Sequence, residues 1–289
     1  MTNILVTGSN GQLGNEMREL AQNSPFQFTF TDIAELNITN REEIDALFQE
    51  KKFDYVINCA AYTNVNKAES EEQTAQEINA KAPENLAVVS AKYNCRLIHV
   101  STDYVFDGTN HKPYEESDTV CPQSAYGRTK LQGEQLALQA NPNTIIIRTA
   151  WLYSQFGNNF VKTMMRYGSE KEELTVVFDQ IGTPTYAGDL AQAIYTIIEK
   201  IENNEKQFVP GIFHYTNEGV CSWYDFTKEI LAQAHIQCSV KPIESKDFPS
   251  PAKRPFYSVL NKRKIKETYN INIPYWKDSL SVCLQKLLS

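Results

Sequence analysis

The sequence predicts the α/β class, a doubly wound parallel sheet followed by a smaller and less regular lobe, on three observations. Short apolar strands alternate with helix-spaced segments as far as Arg148. A glycine-rich turn joins the first strand to the first helix. Beyond Arg148 the alternation loosens, and prolines and aromatics become frequent, as in Trp151-Leu152-Tyr153, Gly182-Thr183-Pro184-Thr185 and Pro249-Ser250-Pro251. The predicted division is a Rossmann-like dinucleotide-binding domain over 1–150, to which 186–203 returns, and a substrate-binding lobe over 151–185 and 204–289.

The run Asn3-Ile4-Leu5-Val6-Thr7 reads as a buried strand entering Gly8-Ser9-Asn10-Gly11-Gln12-Leu13-Gly14, and a helical segment from Gln12 to Gln22 follows at once. Glycines permit a tight turn and let backbone N–H groups approach a pyrophosphate, which the positive end of a helix also attracts. The spacing is Gly-x-x-Gly-x-x-Gly rather than the commoner Gly-x-Gly-x-x-Gly, but the strand, turn and helix order is that of a dinucleotide site. A second strand, Phe26 to Thr31, delivers Asp32, at about the roughly twenty-residue distance from the turn where an acidic side chain reaches the adenosine ribose. Such a carboxylate accepts from the ribose hydroxyls and repels a 2′-phosphate, which tilts the expectation toward NADH. Arg41, a little further on, is a residue able to tolerate a phosphate, and an ordinary turn aspartate is the alternative for Asp32.

Next come a helix over Asn40 to Lys51 and a third strand, Asp54 to Asn58, whose exit Cys59-Ala60-Ala61-Tyr62-Thr63 is small enough to pass close to a cofactor. One long helix is expected from about Glu72 to Tyr93, then a fourth strand from Arg96 to Ser101 and a loop from Thr102 to Gln123. The helix after it carries Tyr126 and Lys130, and Thr144 to Arg148 is a fifth strand. Residues four apart lie on one helical face. A phenol titrating near 10 is a poor acid–base catalyst at neutral pH, and a nearby ammonium favours its anion. Thr7, Asp32, Ala60 and Ser101 all fall at strand exits, so one crevice outside the carboxyl ends is expected to gather them.

In the second half, Tyr186 to Ile201 reads as a helix, Ser222-Trp223-Tyr224-Asp225 as a capping box opening a helix through Ala234, and Lys277 to Leu288 as a closing helix. The stripe Leu280, Cys283, Leu284, Leu287 and Leu288 is expected to pack within the chain.

Composition narrows the function classes. The apolar fraction of 42% and charged fraction of 22% are globular values. No stretch approaches the roughly 20 apolar residues that span a bilayer, and no basic flank marks a signal peptide, which gives a cytoplasmic location as the default expectation. A net charge of −7 opposes binding to nucleic acid or an anionic membrane but not to an anionic small molecule held by local donors. The six cysteines contain no Cys-x-x-Cys pair, Cys59 and Cys95 read as buried fillers, and the four histidines lack ligand spacing, so no metal site is expected.

Taken together, the turn Thr7 to Gly14 and the pair Tyr126 and Lys130 resemble the extended short-chain dehydrogenase/reductase superfamily, with its TGxxGxxG and YxxxK motifs. Within it, the runs Val6 to Gly14, Asn58 to Glu69, Ser101-Thr102-Asp103-Tyr104-Val105-Phe106-Asp107-Gly108, Arg148 to Tyr153, Gly157 to Phe160 and Pro251-Ala252-Lys253-Arg254-Pro255 are similar to the dTDP-4-dehydrorhamnose reductase family. The likeness spans nearly the whole chain. It implies reduction by NADH or NADPH of the C4 ketone of dTDP-4-dehydro-6-deoxy-L-mannose to dTDP-L-rhamnose. Tyr126 would then protonate the carbonyl oxygen, Lys130 would hold the nicotinamide ribose and lower the phenol's pKa, and Thr102 would hydrogen-bond the same oxygen.

The resemblance further implies that Gly8, Gly11, Gln12, Leu13, Gly14, Asp32, Ala60, Ala61 and Thr63 contact the cofactor, with Asn37 and Ile38 near the adenine. Asp103, Trp151 and Arg254 become substrate contacts. Their alternatives are a turn cap, buried packing and a solvent-facing loop arginine respectively. Some members bind Mg2+ at a dimer interface through acidic residues, one at the position of Glu16. The matching position near Pro184 is Gly188 here, with Asp189 beside it, so neither the metal nor that dimer is carried over, and a monomer or a homodimer is expected. Two other readings stay open: an epimerase or dehydratase acting on another sugar nucleotide, and a non-catalytic subunit like the regulatory subunit of methionine adenosyltransferase.

Overall fold

The computed structural model describes residues 1–288. In chain order it contains β1 (Asn3–Thr7), α1 (Gln12–Ala21), β2 (Gln27–Thr31), α2 (Arg41–Glu50), β3 (Tyr55–Asn58), α3 (Val65–Ala68), α4 (Glu72–Gln76), α5 (Ala82–Lys92), β4 (Arg96–Thr102), α6 (Ala125–Ala140) and β5 (Thr144–Thr149). There follow β6 (Leu152–Tyr153), α7 (Phe160–Glu170), β7 (Glu173–Val177), β8 (Ile181–Gly182), β9 (Thr185–Tyr186), α8 (Ala187–Glu202), β10 (Gly211–His214), β11 (Cys221–Ser222), α9 (Trp223–Gln233), β12 (Ser239–Ile243), α10 (Arg263–Tyr269) and α11 (Trp276–Leu288).

Six parallel strands form the main sheet in the order β10-β5-β4-β3-β1-β2. Strands buried on both faces send alternate residues into two cores. Ile4, Val6, Tyr55, Ile57, Ile98, Ile145 and Ile147 enter one with α1 and α8, while Leu5, Val56, Leu97 and Ile146 enter the other with α2 and α5. Winding reverses at β1, whose neighbours are β2 and β3. Ligands of such sheets bind in the crevice opened by that reversal.

Three expectations change. The helix expected over Glu72 to Tyr93 is α4 and α5 joined by a π turn over Glu77–Lys81. Pro83 in the first turn of α5 has no N–H to give the preceding turn, and that lost bond is where the wider turn forms. Residues 211–214, assigned to the second lobe, join the main sheet beside β5, and Ile265 and Tyr269 of α10 pack in its core. Strand β10 lacks the long apolar run of its neighbours because it is an edge strand. In α11, Leu280, Cys283 and Leu284 are buried, but Leu288 is exposed, since the last turn runs beyond the core it covers.

Candidate active site

The cofactor end of the crevice is built from backbone. Gly8 has φ +65°, and a Cβ there would lie 2.6 Å from Ala60 Cα, so β1 and the exit of β3 approach as only glycine allows. A Cβ at Gly14 would lie 2.5 Å from both the Gly8 carbonyl oxygen and Ser9 Cα. Gly14 therefore does not line the crevice as expected but lets α1 close on the turn. At Gly11 a Cβ meets only the Gly8 oxygen, at 3.2 Å, leaving open space in front. No side chain caps the first turn of α1 and it holds no acid, so its amides and dipole face the crevice free to meet an anion.

Asp32 stands beside the turn, its carboxylate accepting from Asn10 N at 2.9 Å and from Ile33 N at 2.8 Å. Asn37 and Ile38 line the same end. Arg41 does not: its Nε donates to Asn85 Oδ1 at 3.1 Å on α5, away from the crevice. Asn79, in the π turn, accepts from Tyr62 N at 2.8 Å and donates to Tyr62 O at 3.1 Å. Those two bonds fix the Ala61 to Thr63 segment. Cys59, expected as a filler, lines the crevice, and burial pushes its thiol up to about 12, which leaves it protonated and unreactive.

At the centre, α6 starts at Ser124, whose Oγ accepts from Gly127 N at 3.2 Å. Gly127 lets the helix lie against the Tyr104 carbonyl, where a Cβ would clash. That contact brings Tyr126 to Thr102 and sets its ring edge-on to Tyr104, centroids 5.5 Å apart. Burial pushes the Tyr126 phenol well up, a hydrogen bond with Thr102 opposes this, and Asp103 and Tyr104 reinforce it. Thr102 Oγ1 donates to Asp103 Oδ1 at 3.0 Å and accepts from Tyr104 N at 3.2 Å. Burial raises Asp103 to about 6 against the hydrogen bonds from Thr102 and Ser258.

Lys130 lies on the same helical face as Tyr126, yet its ammonium is turned to β4, with Nζ 2.7 Å from Val100 O and 3.3 Å from His99 Nε2. Burial brings it down to about 8, opposed by Glu134. Lys130 is therefore not among the charges that move the Tyr126 phenol, because its head group is spent on the sheet behind.

The far end is assembled from distant segments. Trp151, expected as a lone platform, adopts φ 49°, a left-handed conformation rare for a bulky residue. Its indole is stacked on Trp223 with centroids 3.5 Å apart and planes 8° apart. Gly182 makes room for it, since a Cβ there would come within 2.7 Å of the ring. The loop bearing Arg254 is stitched in by Tyr257 N to Gly108 O at 3.0 Å and Ser258 N to Ile181 O at 2.8 Å. Arg254 lines the crevice beside Tyr104, and its buried Nε has no partner.

One crevice of about 830 Å³ thus takes in Gly8, Gly11, Gln12, Leu13, Asp32, Asn37, Ile38, Ala60, Ala61, Thr63, Thr102, Asp103, Tyr126, Lys130, Trp151 and Arg254. Sequence reading missed Trp223 and Asn79. The first is the opening helical residue inside a recognised capping box, where a side chain is free to point outward; the second is a polar residue in the π turn four positions before Pro83. Glu16 and Asp189 do not converge. Glu16 accepts from Ser154 Oγ at 2.6 Å, while Asp189 accepts from Asn217 Nδ2 at 2.6 Å and Ser279 Oγ at 2.5 Å. Among the described residues no group of three His, Cys, Asp or Glu is positioned to hold a metal, and no helix is long and apolar enough to cross a membrane.

A family model described as the RmlD substrate binding domain matches residues 1–289. The chain is 40% identical over 287 residues to a dTDP-4-dehydrorhamnose reductase of Aggregatibacter actinomycetemcomitans, covering 97% of each. A solved dTDP-4-dehydrorhamnose reductase of Clostridium acetobutylicum superposes with a TM-score of 0.94 at 44% identity over 100% of both chains. Another, from Bacillus anthracis in complex with NADP, gives a TM-score of 0.93 at 37% identity over 99% of this chain and 100% of its own.

Proposed function

The chain belongs to the RmlD substrate binding domain family, and from that premise we propose that it reduces the C4 ketone of dTDP-4-dehydro-6-deoxy-L-mannose to dTDP-L-rhamnose as an NAD(P)H-dependent oxidoreductase. The reductase names of its relatives supply the reaction. The observation that carries it in this chain is the single continuous crevice running from the uncapped α1 turn, past Tyr126, to the indole pair and Arg254.

A nicotinamide dinucleotide fits the donor set: open space before Gly11, free amides at the start of α1 and an acid beside the turn. Gly8, Gly11, Gln12 and Leu13 would hold its pyrophosphate, Asp32 its adenosine ribose, and Ala60, Ala61, Thr63 and Lys130 the rest. Gly14 supports the turn rather than touching the cofactor. The bound cofactor supplies the hydride delivered to C4.

Tyr126 acts as the acid. Burial keeps its phenol protonated, which is the form that donates to an oxygen gaining negative charge. The Thr102 hydroxyl turns from Asp103 to the same oxygen, stabilising that charge in a site shielded from water. Asp103 then orients the sugar, and the Trp151 and Trp223 rings exclude water beside it. The unpartnered Arg254 Nε suits a diphosphate oxygen. Asp32 favours NADH over NADPH.

The test is the initial rate of NADH and NADPH oxidation with this sugar nucleotide. Tyr126→Phe is expected to lower kcat by about 10²–10⁴-fold; an unchanged rate would remove Tyr126 from the role of acid. Cofactor retained stoichiometrically after purification, with no net oxidation, would favour an epimerase or dehydratase. Cofactor binding without turnover of any such sugar would favour the non-catalytic reading.

A further inference from the structure

Behind Lys130 lies a buried polar chain that the reaction as described does not use. Thr7 and Asn58 end β1 and β3, His99 lies beside Asn58 in the middle of β4, and Lys130 is on α6, each at most 1% exposed. The Thr7 hydroxyl donates to Asn58 Oδ1 at 2.8 Å, Asn58 Nδ2 is 3.0 Å from His99 Nδ1, and His99 Nε2 is 3.3 Å from Lys130 Nζ.

The polarity of this chain is determined by one backbone group. Ala60 N donates to Asn58 Oδ1 at 3.1 Å, and a backbone N–H can only donate, so that side of the carboxamide is oxygen. The amide nitrogen therefore faces His99 and donates to Nδ1, which must present a lone pair. Burial, the largest influence on His99, holds it neutral. A neutral imidazole whose Nδ1 accepts carries its proton on Nε2. This N–H points at Lys130, and an ammonium has no acceptor to offer it, whereas a neutral amine has one lone pair. Val100 O, 2.7 Å from Nζ, accepts a hydrogen bond from either form.

We propose that His99, locked as the Nε2–H tautomer by Asn58 and Thr7, is a positioning residue that disfavours the ammonium of Lys130 before cofactor binds, so that binding in alkaline solution is coupled to proton uptake on Lys130. The coupling rests on the reading that Lys130 meets the nicotinamide ribose, whose hydroxyls accept from an ammonium and whose diphosphate brings negative charge into the crevice. Both favour the charged form. The other groups around Lys130 do not supply this switch. On α6, Glu134 is ion-paired with Arg148 of β5 at 2.7 Å and favours the ammonium, while Tyr126 is held protonated by burial. After β3, Cys59 is likewise held protonated, and after β4, Asp103 is raised only to about 6.

Isothermal titration of NADH and NADPH into the full chain, in buffers of different ionisation enthalpy, reads the protons taken up. With Lys130 titrating at about 8 in the free protein, uptake is expected to rise from about 0.1 proton per site at pH 7 to about 0.9 at pH 9. His99→Gln, whose amide oxygen is able to accept from an ammonium, is expected to cut the uptake at pH 9 by more than half. Asn58→Asp gives the same result by a second route, because a carboxylate draws the imidazole proton to Nδ1 and frees Nε2 to accept. Lys130→Met is expected to abolish the uptake.

Uptake that is independent of pH, that survives in Lys130→Met, or that is unchanged in a folded His99→Gln or Asn58→Asp would overturn the proposal. Absence of any binding heat with either cofactor would instead overturn the cofactor reading on which it rests.

Discussion

The two ends of the crevice differ in what holds them. At the cofactor end, consecutive residues of β1, its turn and α1 are fixed by backbone against backbone, with Ser9 N on Thr31 O and Cys59 N on Thr7 O, both at 3.1 Å. At the substrate end, Trp151, Gly182, Trp223 and Arg254 come from separate segments, and the elements that carry three of them are two-residue strands or their neighbours. Side chains rather than backbone make that end fit. The difference teaches that the first end tolerates no added atom at Gly8 or Gly14, whereas the second is graded and able to change its ligand without refolding. Strain agrees: the cofactor turn places its one positive φ on Gly8, and the substrate end places one on Trp151.

The largest effect that tests this contrast is expected at Gly14. In Gly14→Ala the new Cβ meets two backbone atoms at 2.5 Å, neither of which moves as a flexible side chain would. Overpacking of this kind costs about 1–3 kcal/mol or more. Thermal unfolding should show a clear fall in Tm, and titration should show cofactor binding weakened at least about 10-fold, since every 1.4 kcal/mol is roughly a factor of ten. A Gly14→Ala protein with unchanged Tm and affinity would break the claim that this end is fixed by backbone.

An intermediate effect is expected at Trp223. Trp223→Ala removes the ring stacked on Trp151 and its contact with Phe160, 4.4 Å between centroids. Aromatic pairs contribute about 0.5–1.5 kcal/mol beyond their burial. The KM for the sugar nucleotide should rise about 10-fold while the Kd for NADH stays within about 2-fold, and Trp223→Phe should recover most of the loss. Equal losses on both ligands would mean that the two ends are not independent.

The same contrast explains what the sequence made legible. Local order reveals the cofactor end: strand, glycine turn, helix and an acid at the next strand exit are all near neighbours in the chain. Unbroken apolar runs likewise reveal β1, β3, β4 and β5, because both faces of a parallel strand are buried. Trp223 stayed hidden because its partner Trp151 is far away in sequence and their meeting depends on β8 pairing with β11 and on the cleared space at Gly182. The direction of Lys130 was hidden for a related reason. Helical spacing puts it on the face of Tyr126 but says nothing about His99 and Val100 drawing its head group away. Edge strand β10, four residues long, carries too little pattern to be separated from a loop.

The smallest effect is expected at Asp32, where the side chain serves both the turn and the choice of cofactor. Its carboxylate holds Asn10 N and Ile33 N, so truncation would loosen the glycine turn and confuse loss of structure with loss of discrimination. Asp32→Asn separates the two, since the amide oxygen still accepts from one of those N–H groups while the charge is gone. Charge is what a 2′-phosphate would feel at the mouth of the crevice, where solvent screening keeps the effect modest. The ratio of kcat/KM for NADPH to that for NADH should rise about 3-fold, with Tm nearly unchanged. If the ratio is unmoved, Asp32 is a turn staple alone, and the backbone-held end of the crevice binds its cofactor without reading the 2′ position through this residue.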